Sequence, residues 1–260
     1  MRGGAQGAFK KGEPIVEMID KHIFYLGYLL PRHPDRPFFT RACEIPSDAT
    51  IACLERKKNS HRGIGEKRQL RELDAGAVNQ AFLEEIGKLI ELEYLELSWP
   101  VTAPELSPLR NLRKLRTLII DSPRAITDFT PILDLPMLDR LIIKNAKHMS
   151  DLEWLRPLKD RLFVLGVEGS MWKPQRLPGL RPLEGFAIEA LFMGNTIIED
   201  QDLSPVATMP NIRLFHTGLN APRDEFIALE SKKPELECNW FGDDKWGDYF
   251  RDPKPITKAN

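Results

Sequence analysis

Leu92-Glu93-Tyr94-Leu95-Glu96-Leu97, Leu115-Arg116-Thr117-Leu118-Ile119-Ile120, Leu138-Asp139-Arg140-Leu141-Ile142-Ile143 and Leu162-Phe163-Val164-Leu165-Gly166-Val167 share one pattern, apolar-x-x-apolar-x-apolar, and start 23, 23 and 24 residues apart. Self-similarity at a fixed period of this length is the mark of a stacked-repeat architecture. Weaker copies extend the series outward. Leu70-x-x-Leu73-x-Ala75 precedes it, and Leu183-x-x-Phe186-x-Ile188 and Ile212-x-x-Phe215-x-Thr217 follow, the last after a gap of 29 residues that predicts a longer loop. Asp48-x-x-Ile51-x-Cys53 and a copy through Leu236 and Cys238 mark the ends of the array.

Between the strand-like units lies a second pattern, seen in Ile126-Thr127-Asp128-Phe129-Thr130-Pro131-Ile132 and Met149-Ser150-Asp151-Leu152. Its apolar residues recur at a spacing of about three, which suits a short 3-10 turn. Asp128 and Asp151 stand where a carboxylate accepts the free backbone N–H groups of such a turn, a capping role and not a catalytic one. Each unit is then a strand, a bend and a helical turn that returns behind the strand. One unit cannot bury its own apolar side, and stacking closes a continuous core.

With these residues the chain resembles the leucine-rich-repeat family, in particular its internalin-like and phosphatase-regulator-like subclass of the bacterial cytosolic type, over roughly residues 48–240. The resemblance implies an α/β solenoid: an arc with a parallel sheet on the concave face, short 3-10 or helical turns on the convex face, and caps at both ends. The asparagine that usually follows the strand in that family is replaced by Pro100, Pro123, Ala146, Ser170 and Leu191, and only Asn220 keeps the amide. With 21 prolines in the chain, fixed φ angles and missing donors can stand in for the lost side-chain ladder, giving an irregular arc. The expected organisation is an N-terminal tail and cap over 1–47, about seven to nine repeats over 48–240, and a C-terminal cap and tail over 241–260. Ile15, Met18, Ile19, Ile23 and Leu26 form a helical stripe that would close one end, and the acidic, aromatic stretch from Gly242 to Phe250 would close the other.

Composition limits the function classes. The chain has 260 residues, 37 Lys+Arg against 38 Asp+Glu, and a formal net charge of −1, a balance unlike that of a general polyanion binder. Its apolar run Ile23-Phe24-Tyr25-Leu26-Gly27-Tyr28-Leu29-Leu30 is far shorter than the roughly 20 residues of a bilayer span. Glu13, Glu17 and Asp20 precede that run, which does not read as a secretory signal, so the expected compartment is the cytoplasm. Cys43, Cys53 and Cys238 suggest neither a disulfide framework nor a metal site, and reduced thiols are expected. His22, His33, His61, His148 and His216 lack metal-ligand spacing and read as surface or cap residues, while Gly63-Ile64-Gly65 reads as a turn. Asp243, Asp244 and Asp248 lack the alternation of a calcium loop. No catalytic, cofactor or metal residue is assigned.

Alternation along a strand turns the repeat register into a surface map. The concave sheet should display Glu72, Asp74, Tyr94, Glu96, Thr117, Ile119, Asp121, Arg140, Ile142, Lys144, Val164, Glu168, Glu189, Leu214 and His216, with Ser98, Ala187, Glu235 and Glu237. Ile119, Ile142, Val164, Ala187 and Leu214 would form an open apolar stripe, whose exposure calls for a partner. Around it stand eight acidic residues against Arg140 and Lys144, while Arg110, Arg113, Lys114, Arg156, Lys159 and Arg161 fall in the connecting turns. Such a face repels phosphate backbones and attracts basic proteins. The sequence thus predicts a non-catalytic module that binds a basic protein, with no cofactor, nucleic acid or membrane; its narrower form is an immunity or inhibitor protein that neutralises a toxin. The alternatives are a regulatory or scaffolding subunit of an enzyme such as a phosphatase, and an enzyme with a site between Glu13 and Arg68 or in the C-terminal cap.

Overall fold

A computed structural model describes residues 36–242 and Trp246. Among these residues, ten short strands join side by side in one parallel sheet. They are β1 (Phe38–Phe39), β2 (Ile51–Glu55), β3 (Glu72–Gly76), β4 (Tyr94–Ser98), β5 (Thr117–Asp121), β6 (Arg140–Lys144), β7 (Val164–Glu168), β9 (Ala190–Met193), β11 (Leu214–Thr217) and β12 (Glu237–Cys238). A separate two-stranded pair, β8 (Gln175–Leu177) and β10 (Thr196–Ile198), forms beside it. The strands return through short 3-10 turns such as Ser107–Asn111, Thr130–Asp134 and Glu153–Leu158 on the convex side, and among the described residues helices Gln80–Ile86, Ser204–Ala207 and Arg223–Lys232 replace the turn in three units. This is a leucine-rich-repeat solenoid.

The repeat leucines behave as their spacing requires. Leu73, Leu95, Leu118, Leu141, Leu165 and Leu191 are in register across neighbouring strands and wholly buried. They meet Leu109, Ile132, Leu155 and Leu183 from the turns in one core that runs the length of the array. Asp128 Oδ1 accepts the Thr130 N–H at 2.9 Å, and Asp151 Oδ1 accepts the Glu153 N–H at 2.9 Å, so both cap their turns as the pattern predicts. Asp202 repeats the device on Ser204 N–H at 2.8 Å. Pro108, Pro131, Pro182 and Pro205 occupy the first turns of their helical segments, where a missing N–H costs nothing.

The missing asparagine ladder is replaced piecemeal. Ala77, Ser122, Asn145 and Asn195 take positive φ just beyond the strands, and the Ser122 and Asn145 N–H groups reach the last carbonyls of the next strands at 2.9 and 2.7 Å. Buried Gln175 accepts the Ala146 N–H and donates to the Met149 carbonyl, while Thr196 Oγ1 donates to Val167 O at 2.7 Å. Asn239 clamps both the N–H and the carbonyl of Thr217.

Three expectations need correction. The Asp48-x-x-Ile51-x-Cys53 copy is one residue out of register, since Ala52 and Leu54 point inward and Cys53 pairs with Asp74 on the other face. Leu183-x-x-Phe186-x-Ile188 is not a strand. The β8 segment lengthens that unit, so Leu165 pairs with Leu191, 26 residues on, and Leu191 with Phe215, 24 residues on; the gap of 29 disappears. His61 is buried against the Phe82 ring, with centroids 5.2 Å apart, and is not a surface residue.

The helical stripe of Ile15, Met18, Ile19, Ile23 and Leu26 lies outside the described residues, as do His22, His33 and, Trp246 excepted, Asp243 to Phe250. Trp246 donates its Nε1–H to the Trp240 carbonyl at 3.1 Å and packs near Phe226. Cys43, Cys53 and Cys238 are free thiols, Cys43 exposed. Among the described residues no helix is long and apolar enough to cross a membrane, and no group of His, Cys, Asp and Glu is arranged to hold a metal ion.

Candidate functional site

Parallel register places the candidate residues in three rows across the concave side of the sheet. The first runs Glu72, Tyr94, Thr117, Arg140, Val164, Ala190, Leu214. The second runs Cys53, Asp74, Glu96, Ile119, Ile142, Gly166, Phe192, His216. Asp121, Lys144 and Glu168 form the third, near the strand ends. Glu189 does not join them. It precedes β9 at the position that Phe163 holds before β7, and Ala187 lies farther back still. Ala190 and Phe192 take the places expected for that pair.

The middle of this face is closed, which corrects the expected open stripe. Tyr94, Ile119, Ile142, Val164, Ala190, Phe192 and Leu214 form a second apolar cluster on the opposite side of the sheet from the leucine core, each at most 2% exposed. Gly166 leaves a notch in the second row that Ile142 fills; a Cβ there would stand 2.5 Å from Ile142 Cδ1. Thr117 is fully buried and Glu168 is only 9% exposed. Burial pushes the Glu168 carboxyl above the usual carboxylate range, against the pull of Lys144 and the Gly194 N–H. Burial also pushes the His216 imidazole below its ordinary value. Tyr94, Glu96, Arg140, Lys144, Phe163 and Phe192 are all engaged, none of them a free group on an open surface.

The N-terminal end of the face is different in chemistry. Arg36 places its guanidinium 4.5 Å from the Tyr94 ring centroid and 3.6, 3.9 and 3.9 Å from the carboxylates of Glu72, Asp74 and Glu96. Tyr94 OH donates to Glu96 at 3.0 Å and Ser98 OH to Asp74 at 2.7 Å, which fixes two of those carboxylates. A pocket of about 380 Å³ opens beside them, with Arg36, Cys53, Glu55, Asp74 and Ser98 in its lining and Phe38 and Trp99 at its sides. Phe38 is 61% and Trp99 60% exposed. The Cys53 thiol is pushed up by burial and by Asp74, so it is a poor nucleophile here.

The sequence reading missed Arg36, Phe38, Cys53 and Glu55 because they lie in or before the out-of-register first unit, and Trp99 because it follows the end of β4. The one signal available for them was the pair of large aromatics at Phe38 and Trp99 outside any core position. Farther along, Arg140 pairs with Asp139 and lies 5.0 Å from the Phe163 ring centroid, so its charge is spent within the fold. Arg110, Lys114 and Arg156 form exposed ion pairs with Asp134, Glu91 and Glu153 on the turns.

No protein-family model matches the chain, and no curated protein sequence matches it. Solved structures do. An internalin (inlF) from Listeria monocytogenes superposes with a TM-score of 0.55 at 17% identity, over 74% of this chain and 54% of that one. An internalin C2 from the same species gives 0.45 at 23% identity over 60% and 64%, and a leucine-rich-repeat protein from Leptospira interrogans gives 0.46 at 16% over 78% and 58%. The chain spans between about half and two-thirds of the length of these structures. The likeness is one of fold.

Proposed function

We propose that the protein is a non-catalytic protein-interaction module whose binding site is the acidic pocket at the N-terminal end of the concave sheet, and that its partner presents a basic side chain there. The observation that carries this reading is the pocket itself: Asp74 and Glu55 share its lining with the exposed Phe38 and Trp99, and Glu72 and Glu96 stand near Arg36, which lines it too. A lysine or arginine combines an apolar stem with a charged head, and this pocket has aromatic rings and carboxylates together in its lining. Arg36 already shows how a guanidinium is received, over a ring and among three carboxylates. Exposed aromatic side chains beside a pocket are the residue type that dominates binding energy at protein interfaces.

The narrower form of the reading is an inhibitor or immunity protein, whose toxin would present a basic active surface to this pocket. The test compares partners retained from extracts of the native cell by the wild-type chain and by Asp74→Lys/Trp99→Ala. A basic-surfaced protein held at low salt by the wild type and lost by the variant supports the reading. Retention of the same set by both chains overturns it.

A further inference from the structure

Of the large apolar side chains that the described residues leave in solvent, Met171 at 87% and Trp172 at 89% are the most exposed, and they are neighbours on the loop that follows β7. Single apolar residues scattered over a surface are ordinary, but an adjacent pair held out together is not. The loop that holds them is tied down. Ser170 N–H donates to the Lys173 carbonyl at 2.8 Å, Ser170 Oγ accepts the N–H groups of Trp172 and Lys173 at 3.3 and 3.0 Å, and the Asn195 side-chain amide donates to the Ser170 carbonyl. Side chains presented by a turn of fixed shape lose less freedom on binding than those on a loose one.

Another pocket, of about 320 Å³, adjoins this turn through Lys173, and is lined by the segment after β6 and by the segment running through β8. Lys147, Lys173 and Arg176 line it, and Glu199 is the one carboxylate in its lining. Glu199 stands 3.8 Å from Arg176, which leaves the ammonium groups of Lys147 and Lys173 as the surplus charge. Buried Met149 and Leu177 add apolar surface to the same lining.

We propose that the Met171–Trp172 turn and the basic pocket beside it form a second docking site, which takes an acidic segment of a partner protein: a carboxylate side chain seated between Lys147 and Lys173, and an apolar side chain laid on Trp172. Charge complementarity sets the sign of the partner, and the exposed ring and thioether supply the apolar contact. The form of the site selects a peptide over other anions. A lipid surface would use the protruding Trp172 and leave the cavity beside it empty, whereas an extended segment uses both. Two surplus ammonium groups are also few for a phosphate backbone, whose binding grows with the number of cations brought to it.

The site goes beyond the acidic pocket described above. Glu55, Gly76 and Ser98, the last residues of β2, β3 and β4, line the acidic pocket, while the basic pocket begins just past the end of β6. Both therefore stand along the edge of the array where the strands end, with opposite charge. A partner, or two partners, can be sorted by sign along that edge.

The test selects short random peptides displayed on phage against the full wild-type chain, and then measures the affinity of the recovered peptides for Trp172→Ala, for Lys147→Glu/Lys173→Glu and for Asp74→Lys/Trp99→Ala. Trp172, Lys147 and Lys173 are exposed, and each variant is checked for native circular dichroism. The expected result is a set of peptides that combine Asp or Glu with a large apolar residue, weakened by about tenfold or more in each of the first two variants and unchanged in the third. Recovery of no acidic peptides, or acidic peptides that bind the first two variants as well as the wild type, would overturn the proposal. Loss with Trp172→Ala but not with Lys147→Glu/Lys173→Glu would overturn the acidic character of the partner. Vesicles of phosphatidylcholine and phosphatidylserine in equal parts provide the other arm: co-flotation of the wild type that Trp172→Ala abolishes would assign the turn to a lipid surface and overturn the peptide site. Basic peptides lost only in Asp74→Lys/Trp99→Ala report on the acidic pocket, so either site can fail while the other stands.

Discussion

Leu141→Ala and Ile142→Ala remove side chains of similar size from adjacent positions on opposite faces of β6. Both residues are 0% exposed. Leu141 sits between Leu118 and Leu165 in the leucine core, and its loss should cost about 2–5 kcal/mol, the transfer term plus the residual cavity. Ile142 sits between Ile119 and Gly166 and fills the notch above the glycine, so its truncation leaves a void that the sheet cannot close by itself. A covered face therefore predicts a cost for Ile142→Ala of the same class, about 2–4 kcal/mol. On an open sheet face the same change would cost at most about 1 kcal/mol, the span of strand propensity. Urea denaturation of the full chain, followed by far-UV circular dichroism and tryptophan fluorescence, reads both numbers from midpoints at a common slope. A loss below about 1 kcal/mol for Ile142→Ala, alongside a full loss for Leu141→Ala, would refute the argument for a covered face.

Gln175→Leu removes the amide that satisfies the Ala146 N–H and the Met149 carbonyl; a loss of about 1–3 kcal/mol in the same denaturation assay is expected, and no loss would show that the ladder is maintained by other groups. Glu168 has its carboxyl raised by burial above the reference value of 4.5, so the folded chain keeps a proton that the unfolded chain has released. Its contribution is thus fully present below about pH 4.5 and is lost as pH rises through the folded value, and Glu168→Gln should flatten that part of the wild-type stability profile. His61 and His216, both lowered by burial, act in the opposite sense and cost stability as pH falls below 6.5, which is why the comparison is wild type against Glu168→Gln at each pH. Arg36→Ala leaves Glu72, Asp74 and Glu96 facing one another without their shared cation, and the midpoint should drop most at low ionic strength; a drop independent of salt would contradict the electrostatic reading of that group.

The inward leucines, the strand register of the central units and the turn-capping Asp128 and Asp151 were all legible from spacing, because each depends on local periodicity alone. Two things were not. The unit after β7 was misplaced because Leu183, Phe186 and Ile188 are fully buried too, from the turn side, and mimic the strand pattern. The continuous apolar run Ala190-Leu191-Phe192-Met193 was the better signal, since strands buried on both faces lose their alternation. The same sign was present in Leu118-Ile119-Ile120 and Leu141-Ile142-Ile143. Read as alternation, the middle residue of each triplet faces water; read as a run, it faces a second layer. The acidic pocket was half visible: Glu72, Asp74 and Glu96 came from the register, while Arg36 and Phe38 precede the first clear repeat and Trp99 follows a strand end.

The most direct measurement is the accessibility of the concave methyl groups to a soluble paramagnetic gadolinium chelate, by NMR on the full chain with labelled isoleucine, leucine and valine. The account predicts that Ile119, Ile142 and Val164 are as shielded as Leu118 and Leu141. Strong relaxation of the first three with the leucines untouched would mean the face is open, and the closed concave sheet would be wrong.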